Sequence, residues 1–149
     1  MFTTKRRLAW LRDAMAIAFA ALFALASPAF AGTARLDIGA LQGEWRNNHN
    51  TVHIRTYVCG QQVCGVVTWA AEKAQADARR GGTEQLRGTQ IFREFRPAGD
   101  GGYKGKVFVP DINQTFSGRL SVSADDKLLG KGCILAGLIC KTTTWVRVQ

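Results

Sequence analysis

Proline, histidine and methionine are scarce in this chain, at 3, 2 and 2 residues in 149. Both methionines fall within the first 15 residues, so the remainder is methionine-free. So little proline excludes a collagen-like rod or a polyproline linker. His49 and His53 stand near each other with no third ligand beside them, which argues against a zinc centre and for two solvated side chains. Nucleophilic catalysis needs an oriented base next to Ser, Cys or Thr, and the chain has no G-x-S-x-G. Acidic residues are also few, 11 against 20 Lys and Arg, for a net charge of +9. Hydrophobic residues at 46% and charged ones at 21% exclude a disordered tail and a multi-span membrane protein.

Residues 1–31 read as an export leader. Lys5, Arg6, Arg7 and Arg12 form a basic head, Ala14 to Ala26 an uncharged apolar stretch, and Ala29-Phe30-Ala31 a small–x–small cleavage pattern. The apolar stretch is shorter than the roughly 20 residues that span a bilayer. No Cys stands at the expected cut, so a lipid anchor is not expected. Cleavage there would leave residues 32–149 as a single domain with 16 basic and 10 acidic residues. The expected location is therefore the periplasm or the exterior, reached by a Sec-type leader, where disulfides are permitted.

The four cysteines fall in two local pairs, Cys59 with Cys64 and Cys133 with Cys140. Local disulfides are the preferred reading; crossed pairs and a metal site are the alternatives. If Cys59 faces Cys64 directly, Ile54 opposes Trp69, Thr56 opposes Val67 and Val58 opposes Gly65, giving an apolar inner face. If Cys133 faces Cys140, Leu128 opposes Trp145, Gly130 opposes Thr143 and Gly132 opposes Lys141. Both hairpins then turn a Trp inward and a cystine outward, and a one-residue slip would reverse that.

Strand patterns run over about 51–59, 63–70, 89–96, 103–109, 113–122, 127–133 and 138–148. Leu36 to Gln42 suggests a short helical lead-in. Ala70 to Arg80 suggests one or two helical turns, ended by Gly81-Gly82. The stretch Ile91 to Arg96 has no clean inward face. Consecutive antiparallel strands with short connections predict an all-β fold, a small closed or nearly closed up-and-down barrel of seven to eight strands with two local disulfides. A two-sheet sandwich is the rival.

Gly43-Glu44-Trp45 heads the first strand and Trp145-Val146-Arg147 ends the last. This arrangement resembles the lipocalin-like (calycin) barrels, in which a G-x-W Trp closes the barrel floor and a late Arg packs over it. The chain over about 43–148 is similar to the bacterial family catalogued as domain of unknown function 2147. The ordered pieces are Gly43-x-Trp45, Cys59 with Val63-Cys64-Gly65, Gly88, Pro110-Asp111, Gly132-Cys133, and Cys140 leading to Thr144-Trp145-x-Arg147. The resemblance implies a secreted or periplasmic barrel. Trp145 and Arg147 share inward parity, and an Arg147 stack on Trp45 would be worth about 0.5–2 kcal/mol. The alternative for Arg147 is a carboxylate partner at the rim.

Functional expectations follow from the inner face and one unusual loop. Ile54, Val67, Trp69, Phe116, Leu128 and Trp145 are expected to line a lumen holding a small apolar or amphipathic ligand. Inward Gly65, Gly130 and Gly132 leave room for it. The tip of the last hairpin is apolar where tips are normally polar, and Ile134, Leu135, Leu138 and Ile139 form a candidate contact tip. The alternative function is a protein- or envelope-interaction module without a ligand cavity. Glu94, Asp111 and the Asp125-Asp126 turn are separate in the pattern, so paired-carboxylate chemistry is not expected. No enzymatic activity, cofactor or metal is expected. The basic residues are scattered along the chain, which suggests a solvated surface with weak attraction to anionic envelope polymers or lipids, and no nucleic-acid role.

Overall fold

A computed structural model describes residues 38–135 and 138–149. The leader expected over 1–31 lies outside the described residues, as do Leu36 and Asp37 of the expected lead-in; over the rest of the lead-in a 3-10 turn, Gly39–Leu41, is seen. Eight strands follow: β1 (Gly43–Asn47), β2 (Val52–Cys59), β3 (Gln62–Ala70), β4 (Gln90–Ala98), β5 (Gly102–Val109), β6 (Gln114–Val122), β7 (Lys127–Ile134) and β8 (Ile139–Arg147). Each pairs antiparallel with its neighbour in sequence, and β8 returns to β1 to close the barrel. Closure removes both sheet edges. Among the described residues one α-helix, α1 (Glu72–Arg80), sits between β3 and β4 and is followed by Gly81-Gly82. Its Ala78 is buried, and Gly81 lies so close to the Asp111 backbone that a Cβ would meet Asp111 O at 2.0 Å.

The cysteines form Cys59–Cys64 and Cys133–Cys140 disulfides. The β7–β8 register follows the sequence reading throughout, with Leu128 opposite Trp145, Gly130 opposite Thr143 and Gly132 opposite Lys141. The β2–β3 register differs. Gly60 and Gln61 make a two-residue turn, so Cys59 pairs with Gln62 and Tyr57 with Cys64, and the bridge joins residues that are not directly opposed. Ile54 consequently opposes Val67, Thr56 opposes Gly65 and Val58 opposes Val63. Thr68 is then an extra residue in β3, because His53 pairs with Trp69. That bulge returns Ala70 to the inside and turns Trp69 out, where it is 41% exposed and packs on His53 at 4.9 Å. The expected lumen role of Trp69 is therefore incorrect.

A second bulge explains why β4 has no clean pattern. Arg93 pairs with Lys106 and Arg96 with Lys104, leaving Glu94 and Phe95 against Gly105. Glu94 takes a left-handed conformation, φ 57°, and is exposed. Phe92 and Phe95 can thus both point inward despite their odd spacing. Their rings meet edge-on at 5.8 Å, and Phe92 meets Trp145 at 6.2 Å. Glycines make room for them: a Cβ on Gly65 would meet Phe92 at 2.5 Å, and one on Gly105 would meet Phe95 Cα at 2.7 Å.

The Gly105 contact is with backbone, which has little freedom to give way. Gly105→Ala should therefore cost about 1–3 kcal/mol by strained packing. Urea unfolding measures this, and an unchanged midpoint would contradict the described β4 bulge.

Candidate functional site

The two ends of the barrel differ chemically. At the floor, Trp45 is fully buried and donates from Nε1 to Thr56 Oγ1 at 3.0 Å and to Leu41 O at 3.2 Å. The Thr56 hydroxyl in turn donates to the Leu41 carbonyl, so this buried polar side chain is satisfied. Arg147 stacks over the Trp45 ring with Cζ 4.1 Å from the centroid. Its guanidinium also donates to Gln42 O at 3.0 Å and Ala40 O at 2.6 Å. A forked pair to Asp126 at 2.7 and 2.9 Å completes the set. Both sequence alternatives for Arg147 are thus realised in one side chain. Gly43 permits it: φ is 142°, and a Cβ would meet Arg147 Nη1 at 2.6 Å. Hydrogen bonding from Arg147 holds the Asp126 carboxyl below its ordinary value.

Above this floor the interior is filled. Ile54, Val67, Leu128 and Trp145 are buried there with Val63, Leu120, Phe92 and Phe95. Four of the six residues expected to line a lumen therefore pack together as core. Phe116 has a different place. It lines a cavity of about 400 Å³ at the opposite end, with Phe92 at the bottom and Val107, Val109, Ile134 and Ile139 among the walls. Gly130, Gly132, Thr143, Lys141, Asp111 and Ile112 complete the lining. A Cβ on Gly132 would meet nothing within 4 Å, unlike one on Gly65, whose space Phe92 occupies. The room expected from inward glycines is thus confined to the Gly130–Gly132 side.

Most of this lining is absent from the sequence expectation. Lys141 and Thr143 were within reach, because the β7–β8 register already turned them inward. Phe92 was not, since the β4 bulge breaks the alternation of its own strand. The apolar tip divides: Ile134 and Ile139 line the cavity mouth, while Leu135 and Leu138 are 64% and 85% exposed.

The remaining titratable groups do not converge. Asp111 is at the mouth, Asp126 at the floor, and Glu94 on the outer wall. Asp125 pairs with Lys127 and Ser123, which hold its carboxyl down to about 2. His49 is exposed and His53 bonds Asn50 Oδ1 at 2.8 Å on the outer wall. Glu44, also outside, accepts from Thr68 at 2.7 Å and pairs with Arg55 at 3.0 Å, and these partners lower its pKa in that order. Among the described residues no group of three or more His, Cys, Asp or Glu side chains is placed to hold a metal.

An eight-stranded antiparallel meander closed on itself, with a Trp and an Arg at one end and an apolar cavity at the other, defines a lipocalin-like barrel. The chain belongs to the family described as "uncharacterized protein conserved in bacteria" (DUF2147), which it matches over residues 43–147. Its fold is similar to that of a solved Helicobacter pylori protein, HP1028, described as belonging to the lipocalin family. That similarity has a TM-score of 0.56 at 15% identity, covering 73% of this chain and 83% of the other. Comparison with curated proteins finds no match.

The floor makes a pH-dependent prediction. The Asp126 carboxyl has a depressed pKa when folded, so its stabilisation is complete above the unfolded value and fades as pH falls below about 4. Thermal melts from pH 7 to pH 3 should show Asp126→Asn losing stability at pH 7 and a smaller further loss on acidification than the parent. Parallel melting curves for the two proteins would contradict the pairing.

Proposed function

We propose that this protein is a binding module for a small amphipathic molecule, and that it does not act as an enzyme. The observation that carries the reading is the unfilled, mostly apolar space beside Gly132, within a barrel whose other half is packed. Apolar pockets of this size with a few polar groups at one side suit an elongated apolar body and a polar head. Phe92, Val107 and Phe116 would hold the apolar part, and Lys141, Thr143 and Asp111 would meet the head at the mouth. The lipocalin-like fold supports ligand binding only as analogy, since folds host many functions. The separation of Asp111, Glu94 and Asp126 favours binding over paired-carboxylate catalysis.

The two disulfides support an extracytoplasmic setting, and the basic, apolar, small-residue order of residues 1–31 supports export by a Sec-type leader. Among the described residues no helix is long and apolar enough to cross a membrane. A second reading, an interaction module working through its surface, is favoured by the exposure of Leu135 and Leu138 at the hairpin tip.

The cavity reading is tested by filling it. Gly132→Leu adds a side chain into open space at a position where the backbone tolerates one, so the melting temperature should change little. Binding of an environment-sensitive amphiphilic fluorophore should fall at least tenfold. Mass spectrometry of organic extracts should likewise recover a co-purifying amphiphile from the parent and not from Gly132→Leu. Equal fluorophore binding by both proteins would place the ligand elsewhere and reject the reading.

A further inference from the structure

The basic residues that look scattered in sequence are brought into one row by the fold. Arg96 on β4 pairs with Lys104 on β5, Lys104 with Arg119 on β6, and Arg119 with Lys131 on β7. Four cationic side chains therefore stand directly opposite one another across four adjacent strands. Strands lie about 4.8 Å apart, so the row extends roughly 14 Å. Arg93 pairs with Lys106 in the next outward row. Outward direction follows from parity, because Phe95, Val107, Leu120 and Leu128 on the same strands face the core or cavity.

Like charges directly opposed on a sheet repel and destabilise it. Neutralisation within the protein is slight. Arg119 pairs with Asp100, and Arg93 lies over the Phe108 ring at 4.4 Å. Lys106 donates to the Ser117 hydroxyl, at 3.4 Å. Glu94 is the other acid on this wall. On β7, three residues beyond Lys131, the chain reaches Ile134 and the exposed Leu135 and Leu138 of the tip. A cationic wall thus adjoins an apolar projection at the mouth of the cavity.

We propose that the β4–β7 wall and the tip residues Leu135 and Leu138 dock this protein on an anionic lipid surface. The cationic row meets headgroup phosphates, and Leu135 and Leu138 enter the interfacial layer. Charge complementarity selects an anionic partner, and the adjoining apolar side chains favour a bilayer over a soluble polyanion, which would leave them in water. Docking by this face presents the cavity mouth to the lipid. The inference stands on the wall and tip alone and survives even if the cavity is never occupied.

Flotation of the purified protein with phosphatidylglycerol-rich and with pure phosphatidylcholine vesicles tests this. Binding to the anionic vesicles is expected, weakening as salt rises, with little binding to neutral ones. A Lys or Arg near an anionic surface strengthens partitioning about fivefold. Lys104→Gln with Lys131→Gln should therefore lower it about 25-fold, while the melting temperature holds or rises as repulsion is relieved. Leu135→Ser with Leu138→Ser should lower vesicle binding at unchanged charge. Equal binding to both vesicle types, or binding that survives loss of Lys104 and Lys131, would overturn the proposal. So would soluble polyphosphate displacing the protein from vesicles with Leu135 and Leu138 making no contribution.

Discussion

The Arg147 guanidinium is the contact on which barrel closure depends. The β8–β1 seam is a short pairing, with Trp45 opposite Arg147, Arg46 opposite Val146 and Asn47 opposite Trp145. At that seam Arg147 covers the buried indole of Trp45 and ties in the carbonyls of Ala40 and Gln42 and the carboxylate of Asp126. One side chain from the last strand thereby joins the lead-in turn, the first strand and the β6–β7 turn. Only an arginine has a planar face for stacking and enough forked donors for the other partners. Gly43 belongs to the same arrangement, since any side chain there would collide with Arg147.

With the floor sealed, the distribution of large and small residues decides where space remains. Trp45, Ile54, Phe92, Phe95, Leu120 and Leu128 fill the barrel above the floor, each buried side chain worth about 1.5–3 kcal/mol in removal from water. Phe92 and Phe95 reach this layer because of the Glu94 bulge and occupy the gaps left by Gly65 and Gly105. Towards the mouth no large side chain projects from Gly130 or Gly132, and the cavity opens there. The same residues that stabilise the fold therefore also limit the cavity to one end.

The strands, their number and the second hairpin were legible because alternation there is regular and Cys133 directly opposes Cys140. Trp45 and Arg147 were legible as a pair through the motifs at the two chain ends of the barrel. The first hairpin was misread because a two-residue turn shifts the cystine off the direct pair, and a bulge at Thr68 then reverses Trp69. Such bulges leave no fixed mark in sequence, and each inverts the inside–outside assignment beyond it. The cationic row was invisible for another reason. Arg96, Lys104, Arg119 and Lys131 are separated by 8, 15 and 12 positions and become neighbours only once the cross-strand register is known.

A sealed, filled floor beneath an open, largely apolar mouth is the central feature of this barrel. Methyl-resolved NMR during titration with a long-chain amphiphile tests it most directly, because probes lie in both halves. The account predicts saturable shifts at Val107, Val109, Ile112, Ile134 and Ile139, with Ile54, Val63 and Leu41 unmoved. Shifts spread equally through the floor residues, or confined to outer-wall positions, would contradict it.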